Sequence, residues 1–493
     1  MTNLRDKTLR GLYWSFTAQF TRQALRFIVA IILARLLTPR DFGLVGMIVV
    51  FTGFLGIFSE LGFGAALIQK QEIEERHLSS IFWLNIICGI ILCGIMLIIA
   101  PVVAKFYDEP RLKLLTIVFS INFLIAPFSI VQSSILKRVM DFRKLALIEM
   151  ATTCIAGGSA VILALFGLGV WSLIWHIILT TLISALLLWQ ASDWKPRCYF
   201  DRNAVKELIG FSGNLFGFNV FNYFVRNSDD LLIGKYMGSA ALGVYTRAYS
   251  IMLIPINQIS AAIGQVMFSS LSKMQDDRLR VKDIYLRTIS IIAFITFPMM
   301  MGLFVVADSF VLALLGSKWS EVIPILQILC MLALVQSLVT TLGWIYTSQG
   351  RTDLFFRWSL WAGALLILSI VVGVWIGTVI AVAGCYAFTS GIILVYPAFA
   401  IPGKLINMTF NDVVHSVSNI FICTVLMAGG VWLVKIALPN AWPQWIRLLT
   451  LVPFGITLYL VFVHIFRPDA YIQIKRLFWE QLGSYFQKVQ SYD

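Results

Sequence analysis

The sequence predicts an all-α membrane protein that crosses the bilayer many times. Of its residues 59% are hydrophobic and 13% are charged, which is about half the charged fraction of an ordinary soluble protein. Apolar runs of about 20 residues recur along the whole chain, and each is long enough for one helix to cross a hydrocarbon core about 30 Å thick. We therefore expect about fourteen transmembrane helices.

The first apolar run extends from Gly11 to Leu36 and contains three arginines. No small-residue cleavage motif follows it, so we interpret it as a retained helix rather than a signal peptide. Hydropathy, with charged loops as boundaries, places the spans near 11–36, 43–67, 80–104, 112–136, 145–167, 169–190, 208–235, 241–271, 286–307, 321–348, 354–375, 378–401, 413–436 and 446–466.

The spans group into two blocks of six and a final pair. Residues 1–191 form the first block, and residues 192–207 form a basic linker with the sequence SDWKPRCYFDRNAVKE. Residues 208–402 form the second block, and residues 403–493 carry the last two spans and a tail. We predict two pseudo-symmetric six-helix lobes followed by two extra helices.

Basic residues lie on alternate loops, which predicts the orientation because cationic loops resist translocation. The richer side carries Arg5, Lys7, Arg10, Lys137, Arg138, Arg143, Lys144, Lys195, Arg197, Arg202, Lys206, Lys273, Arg278, Arg280, Lys282, Arg287, Arg467, Lys475 and Arg476. Both termini are therefore predicted to be cytoplasmic. The net charge of +13 does not indicate nucleic-acid binding, because the cations are spread over short loops instead of one soluble face.

The chain resembles itself at a shift of about 200 residues, a period that fits duplicated transporter halves. Arg26 aligns with Arg226, and the segment Phe42-Gly43-Leu44 aligns with Leu242-Gly243-Val244. An even number of spans in each copy gives both copies the same orientation. Such a design places the substrate path between two lobes.

The first span carries a polar stripe with two arginines at its centre. Gln19, Arg22, Gln23 and Arg26 fall on one side of a helix with 3.6 residues per turn. Each arginine costs roughly 2.5–3.5 kcal/mol in lipid, so both are expected to face protein or a water-filled cavity. Two interpretations follow: a pair of buried salt bridges, or a cavity surface that attracts anions.

Further charges lie in the second, seventh and eighth spans. Arg226, Asp229 and Asp230 share one broad face of the seventh span with Asn219 and Asn222. Arg247 in the eighth span is predicted at a depth similar to that of the two aspartates, so it can form a structural ion pair with them. Such a pair would leave Arg226 available for a ligand. Glu60 either pairs with Arg22 or responds to protons or sodium.

The cysteines and histidines show no metal-binding pattern. Six of the seven cysteines lie in apolar runs, and no CxxC motif or Cys/His pair at metal spacing occurs. We interpret the cysteines as ordinary buried thiols. The sequence thus predicts no metal site, no catalytic residue and no cofactor.

Four stretches of the chain carry a family resemblance: LRDKTLRGLYWSF, ILARLLTPRDFGLVGM, FSELGFGAALIQK, and the long segment FSSLSKMQDDRLRVKDIYLRTISIIAFITFPMMMGLFVVADSFVLALLGSKWSEVIPILQIL. They resemble the polysaccharide transporter family, whose members are Wzx-type flippases within the multidrug/oligosaccharidyl-lipid/polysaccharide superfamily. The resemblance covers roughly residues 1–400. It implies two six-helix lobes around a central cavity and an undecaprenyl-diphosphate-linked oligosaccharide as substrate. It also implies alternating access in a bacterial inner membrane, with membrane lipid and a polysaccharide polymerase among the partners.

The family has no fixed catalytic motif, so Arg22, Arg26 and Arg226 are the candidate substrate-binding cations because the sequence offers them independently. Glu60, Asp229, Asp230 and Arg247 are candidates for ion coupling or salt bridges. A lipid II flippase or an ion-coupled multidrug antiporter of the same superfamily is the nearest alternative. A membrane-embedded polymerase or glycosyltransferase is disfavoured, because the longest internal loop is shorter than an independent domain and no nucleotide-binding glycine loop occurs.

Overall fold

The computed structural model describes residues 21–60, 67, 73–203, 205, 213–439, 441–473 and 475, and only the backbone at 59–60, 213–220, 261–262, 265–266 and 268–269. These residues form helices joined by short turns, and no strand occurs among them. The chain divides into two compact units, Met1–Gly243 and Val244–Asp493. The all-α class is confirmed, whereas the predicted division of the chain at the linker 192–207 stays a prediction.

The first unit contains the helices that carry the arginine stripe. They are α1 (described from 21 to 36), α2 (Pro39–Glu60), α3 (Glu75–Tyr107), α4 (Arg111–Phe119), α5 (Ile121–Ile125), α6 (Pro127–Arg138), α7 (Phe142–Leu165), α8 (Val170–Ala191) and the first part of α9 (Gly213–Lys273). Gly238, with φ 85° and ψ 178°, interrupts α9. Glycine adopts a positive φ without steric penalty, so α9 is two helices that meet where the sequence predicts the boundary between the seventh and eighth spans.

The second unit contains the remainder of α9 and eight further helices. They are α10 (Arg278–Leu314), α11 (Val322–Val339), α12 (Leu342–Ser348), α13 (Thr352–Ile376), α14 (Val379–Phe388), α15 (Val395–Gly403), α16 (Phe410–Ala437) and α17 (Gln444–Phe466). A π-helical turn at Thr389–Ile393 joins α14 to α15.

Eleven of the fourteen predicted spans correspond to membrane-spanning segments of the described chain, and the spans near 11–36, 208–235 and 241–271 stay predictions. Ten helical segments of the described chain are long and apolar enough to cross a membrane, and a bent pair, Arg111–Ile125 with Pro127–Arg138, makes an eleventh if it counts as one span. The pair is bent by 41°. Pro127 occupies the first turn of α6, where its missing N–H leaves no helical hydrogen bond unmade.

Helix α1 packs on α7 through small residues of α7. A Cβ added to Gly157 would lie 2.7 Å from the side chain of Val29, so only glycine permits this approach. Leu33 of α1 and Leu37, which directly follows α1, form a buried cluster with Ala160 and Ala164. Lipid tails are as apolar as these side chains, so close packing rather than exclusion of water holds the two helices together.

The starts of α2 and of the second part of α9 approach each other in the register of the predicted repeat. A Cβ added to Gly43 would overlap the carbonyl oxygen of Ser239, and one added to Gly243 would overlap that of Pro39. Residues 39 and 239 stand at the same repeat position, as do 43 and 243. The contact is therefore two-fold related, and both of its glycines are needed for backbone to meet backbone.

In the second unit, α16 and α17 dock on α10. Their buried cluster includes Cys423, Met427, Leu451 and Val463 against Val305 and Val306 of α10, among others. Ion pairs hold both ends of the α10–α16 contact, with 2.6 Å between Lys282 Nζ and Asp412 Oδ2 and 2.7 Å between Lys435 Nζ and Asp308 Oδ1. The two C-terminal helices are thus an integral part of this unit.

Candidate functional site

Arg22 and Arg26 lie one turn apart on α1 and face one carboxylate, that of Glu149 on α7. Arg22 Nη1 donates a hydrogen bond to Glu149 Oε2. Arg26 Nη2 lies 3.9 Å from the same oxygen, which is too long for a hydrogen bond but close enough for charge attraction. The structure therefore places two guanidinium groups around one negative charge.

The packing of α1 on α7 positions these three side chains. From the Arg22–Glu149 pair, the contacts continue through Val29 with Gly157 and through Leu33 in the cluster that contains Ala160. Because the contacts follow the same order along both helices, α1 and α7 run parallel. The close approach at Gly157 brings the helix axes near enough for the arginines to reach across.

These charged side chains are partly exposed. The exposed fraction of the side chain is 24% for Arg22, 40% for Glu149 and 60% for Arg26. Charges in contact with hydrocarbon are strongly unfavourable, so partly exposed ones within a span face water or a polar ligand. The group carries one net positive charge, which makes this surface attractive to anions.

Arg226 lies on the first half of α9, where the sequence places it. It is exposed, and the side chains described by the structure offer it no carboxylate within ion-pair distance. Tyr223, one turn earlier, donates a hydrogen bond of 2.7 Å to the carbonyl oxygen of Val50 on α2. This bond, and the ring contact of Phe224 with Phe54 at 5.0 Å, attach the arginine-bearing segment to α2.

The two aspartates of this segment are sheltered. Asp229 is buried and Asp230 is half-buried. Tyr107, at the end of α3, is buried as well, and its ring lies under Gly234, where an added Cβ would be 2.8 Å from Cε1. The aspartates therefore belong to the packed side of the segment, whereas Arg226 belongs to its exposed side.

The remaining predicted site residues are only partly located. The guanidinium carbon of Arg247 lies 5.5 Å from the ring centre of Trp319, a cation–π contact. The predicted pairing of Arg247 with Asp229 or Asp230 stays a prediction. The side chains of Glu60 and Asn219 lie outside the described residues, so the predicted roles of Glu60 stay predictions too.

Glu149 is the residue that sequence reasoning missed. It lies inside the predicted span 145–167 and is the one charged residue of that stretch. A lone carboxylate in an apolar helix requires a cationic partner or water, and this signal was present in the sequence. The sequence did not predict which cation pairs with Glu149, because α1 and α7 are separated by more than 100 residues along the chain.

The prediction that the cysteines are buried is confirmed for only some of them. Cys93, Cys330 and Cys423 are buried, but Cys154 and Cys198 are exposed, because Cys154 lies on the outer face of α7 and Cys198 in the linker. No group of three or more His, Cys, Asp or Glu side chains among the described residues is placed to hold a metal ion.

Residues 32–324 match the model of a family described as "Polysaccharide biosynthesis protein". The chain is 29% identical to the teichuronic acid biosynthesis protein TuaB of Bacillus subtilis over 79% of this chain and 81% of TuaB. It is 27% identical to the lipopolysaccharide biosynthesis protein WzxC of Escherichia coli, over 80% and 79% of the two chains. It is 28% identical to the succinoglycan biosynthesis transport protein ExoT of Rhizobium meliloti, over 71% of each.

Solved structures show the same fold. The lipid II flippase MurJ in an inward closed conformation superposes with a TM-score of 0.74 at 16% identity, over 92% of this chain and 99% of MurJ. An inward-facing multidrug resistance transporter of the MATE family, from the MOP superfamily, has a TM-score of 0.63 at 15% identity, over 78% and 94% of the two chains. Such distant likenesses establish the membrane-transporter fold alone.

Proposed function

Because the chain belongs to the polysaccharide biosynthesis protein family, we propose that it is a flippase for lipid-linked oligosaccharides. The substrate is an undecaprenyl-diphosphate-linked repeat unit of an exopolysaccharide or of lipopolysaccharide O-antigen. The protein moves this unit across the bacterial inner membrane by alternating access, with both termini in the cytoplasm. Relatives named for teichuronic acid, lipopolysaccharide and succinoglycan biosynthesis support this substrate class.

The observation that carries the proposal is the exposed pair of arginines at Glu149. Guanidinium groups form paired hydrogen bonds with phosphate oxygens and keep their charge at every physiological pH. Arg22 and Arg26 together exceed the charge of their one carboxylate neighbour. A surplus of positive charge on a partly exposed surface within the spans fits a diphosphate group better than any neutral cargo.

A protein is needed for this movement because the polar part of the substrate cannot cross hydrocarbon unaided. Each buried polar group without a partner costs several kcal/mol. A polar surface that opens sideways to lipid keeps the sugars hydrated while the polyprenyl tail stays in the bilayer. The proposed flippase carries out no chemical step, and it needs no cofactor.

The surplus of positive charge also bears on the rival functions. A site for organic cations is better served by carboxylates and aromatic rings than by central arginines, which disfavours a multidrug antiporter. A lipid II flippase acts on the same diphosphate carrier, so charge does not separate it from a polysaccharide flippase. The names of the relatives favour a polysaccharide unit over lipid II as the substrate.

Flipping of a labelled substrate in liposomes tests the proposal directly. The purified protein is reconstituted with an undecaprenyl-diphosphate oligosaccharide that carries a fluorophore on the sugar, and a membrane-impermeant quencher reports which leaflet holds it. We expect the protein to accelerate exchange of this lipid but not of an undecaprenyl-monophosphate sugar. Equal exchange in liposomes with and without protein would contradict the proposal.

A further inference from the structure

We propose that Glu149 is the built-in counter-ion of the arginine stripe: it holds Arg22 and Arg26 while the site is empty and yields both to the diphosphate of the incoming substrate. The inference rests on the proposed function and adds to it a residue that sets both the affinity and the preference for two phosphates over one. Glu149 is a positioning residue in this scheme, because it acts on the ligand through the arginines.

The geometry shows that the carboxylate is shared unequally. One oxygen, Oε2, accepts the hydrogen bond from Arg22 and lies 3.9 Å from Arg26 Nη2. Arg22 is thus engaged, whereas Arg26 is attracted without being hydrogen-bonded. With 60% of its side chain exposed, Arg26 is the group that an arriving anion meets first.

Charge balance then predicts exchange of one anion for another. The empty site holds two positive charges and one negative charge. A diphosphate diester brings two negative charges, which balance the two guanidinium groups. The Glu149 carboxylate is then an excess negative charge, and the phosphates repel it. Because 40% of the Glu149 side chain is exposed, the carboxylate has room to turn away into water without a change in helix packing.

This exchange has a consequence for transport. Two unopposed guanidinium groups would hold a diphosphate tightly and release it slowly, because charge-assisted hydrogen bonds of this kind are strong. A carboxylate of the protein that competes with the diphosphate for the arginines weakens the complex with substrate and speeds substrate release. It also raises specificity, since a monophosphate diester, with one negative charge, brings too little charge to displace Glu149 from both partners.

Binding of short-chain lipid phosphates to the full-length protein in nanodiscs tests the inference. Farnesyl-diphospho-glucose and farnesyl-phospho-glucose serve as probes, because these diesters carry two and one negative charges. The variant Glu149→Gln removes the charge while keeping the shape and the acceptor oxygen. We expect the variant to bind the diphosphate about tenfold tighter and to gain more for the monophosphate, so that the preference for diphosphate falls.

The matched control is Glu109→Gln in the same unit. Glu109 accepts a hydrogen bond of 2.7 Å from Arg40, so the control also removes the charge of an Arg–Glu pair but lies away from the stripe. We expect its affinity for both probes to equal that of the unmodified protein. Should Glu149→Gln fail to fold, Glu149→Asp is measured instead, with an intermediate gain expected because the shorter side chain reaches the arginines less well.

The outcomes separate this inference from the function on which it rests. Unchanged or weaker binding by a folded Glu149 variant, with the unmodified protein binding farnesyl-diphospho-glucose, overturns the counter-ion role and leaves the flippase proposal standing. Absence of diphosphate binding by the unmodified protein overturns both. A tighter complex with an unaltered preference for diphosphate overturns the specificity role of Glu149.

Discussion

Gly43 and Gly243, which align in the predicted internal repeat, meet backbone to backbone. A Cβ on Gly43 would overlap the carbonyl of Ser239 and would lie 3.0 Å from the amide nitrogen of Gly243, and a Cβ on Gly243 would overlap the carbonyl of Pro39. We expect Gly43→Ala to lower stability by about 1–3 kcal/mol, because a methyl group cannot enter this contact without moving backbone. Thermal unfolding in detergent measures the effect.

The control for this prediction is Gly56→Ala on the same helix. No atom lies within 4 Å of a Cβ added at Gly56, and alanine favours helix over glycine by about 0.5–1 kcal/mol. We expect Gly56→Ala to melt at the same temperature as the unmodified protein or slightly higher. Equal melting of the two variants would show that the Gly43 contact does not hold the helix starts together.

The second prediction concerns the two arginines of α1. Arg22→Ala and Arg26→Ala are each expected to abolish surface polysaccharide in a producing strain while protein levels hold, because each removes a partner of the diphosphate. Arg26→Lys is expected to retain only part of the function, because an ammonium group lacks the planar pair of donors. Normal polysaccharide from both alanine variants would count against a cation-lined path.

Arg226 provides a third prediction on a separate segment. We expect Arg226→Gln to lower the rate of lipid exchange in liposomes at least fivefold, with little change in melting temperature, because the side chain is exposed and surface changes alter stability by about 0.5 kcal/mol or less. Arg143→Gln, an exposed basic residue at the start of α7, is the control. An equal rate for both variants would remove Arg226 from the site.

Tyr223→Phe tests how the Arg226 segment is attached to α2. The substitution removes the hydrogen bond of 2.7 Å to the Val50 carbonyl, and we expect a loss of about 0.5–1.5 kcal/mol in stability. Tyr199→Phe, at an exposed tyrosine of the linker, is the matched control and should melt normally. Identical melting of the two variants would mean that the phenol of Tyr223 contributes nothing to the attachment.

The last prediction concerns the docking of the C-terminal helices. Asp412 caps the start of α16 with Thr409 and pairs with Lys282 of α10 at 2.6 Å. We expect Asp412→Ala to cost about 1–2 kcal/mol of stability, because both the helix cap and the ion pair are lost. Lys282→Met removes the pair but keeps the cap, so its melting temperature should fall between those of Asp412→Ala and the unmodified protein.

Local patterns in the chain predict the membrane class, most of the spans and the polar stripe of α1. Runs of apolar residues and a helical period of 3.6 residues are local properties of the chain, so they can be recognised without knowledge of the tertiary fold. The boundary between the seventh and eighth spans, where Gly238 interrupts the helix, was predicted from the same local pattern.

Which groups meet depends on tertiary packing. Hydropathy places Arg22 and Glu149 inside their spans but does not show which helices are neighbours. The partner is set by the packing of α1 on α7 through Gly157, and that contact joins segments more than 100 residues apart. Pairings of this kind depend on the shapes of whole helix surfaces, which no local pattern in the chain reports.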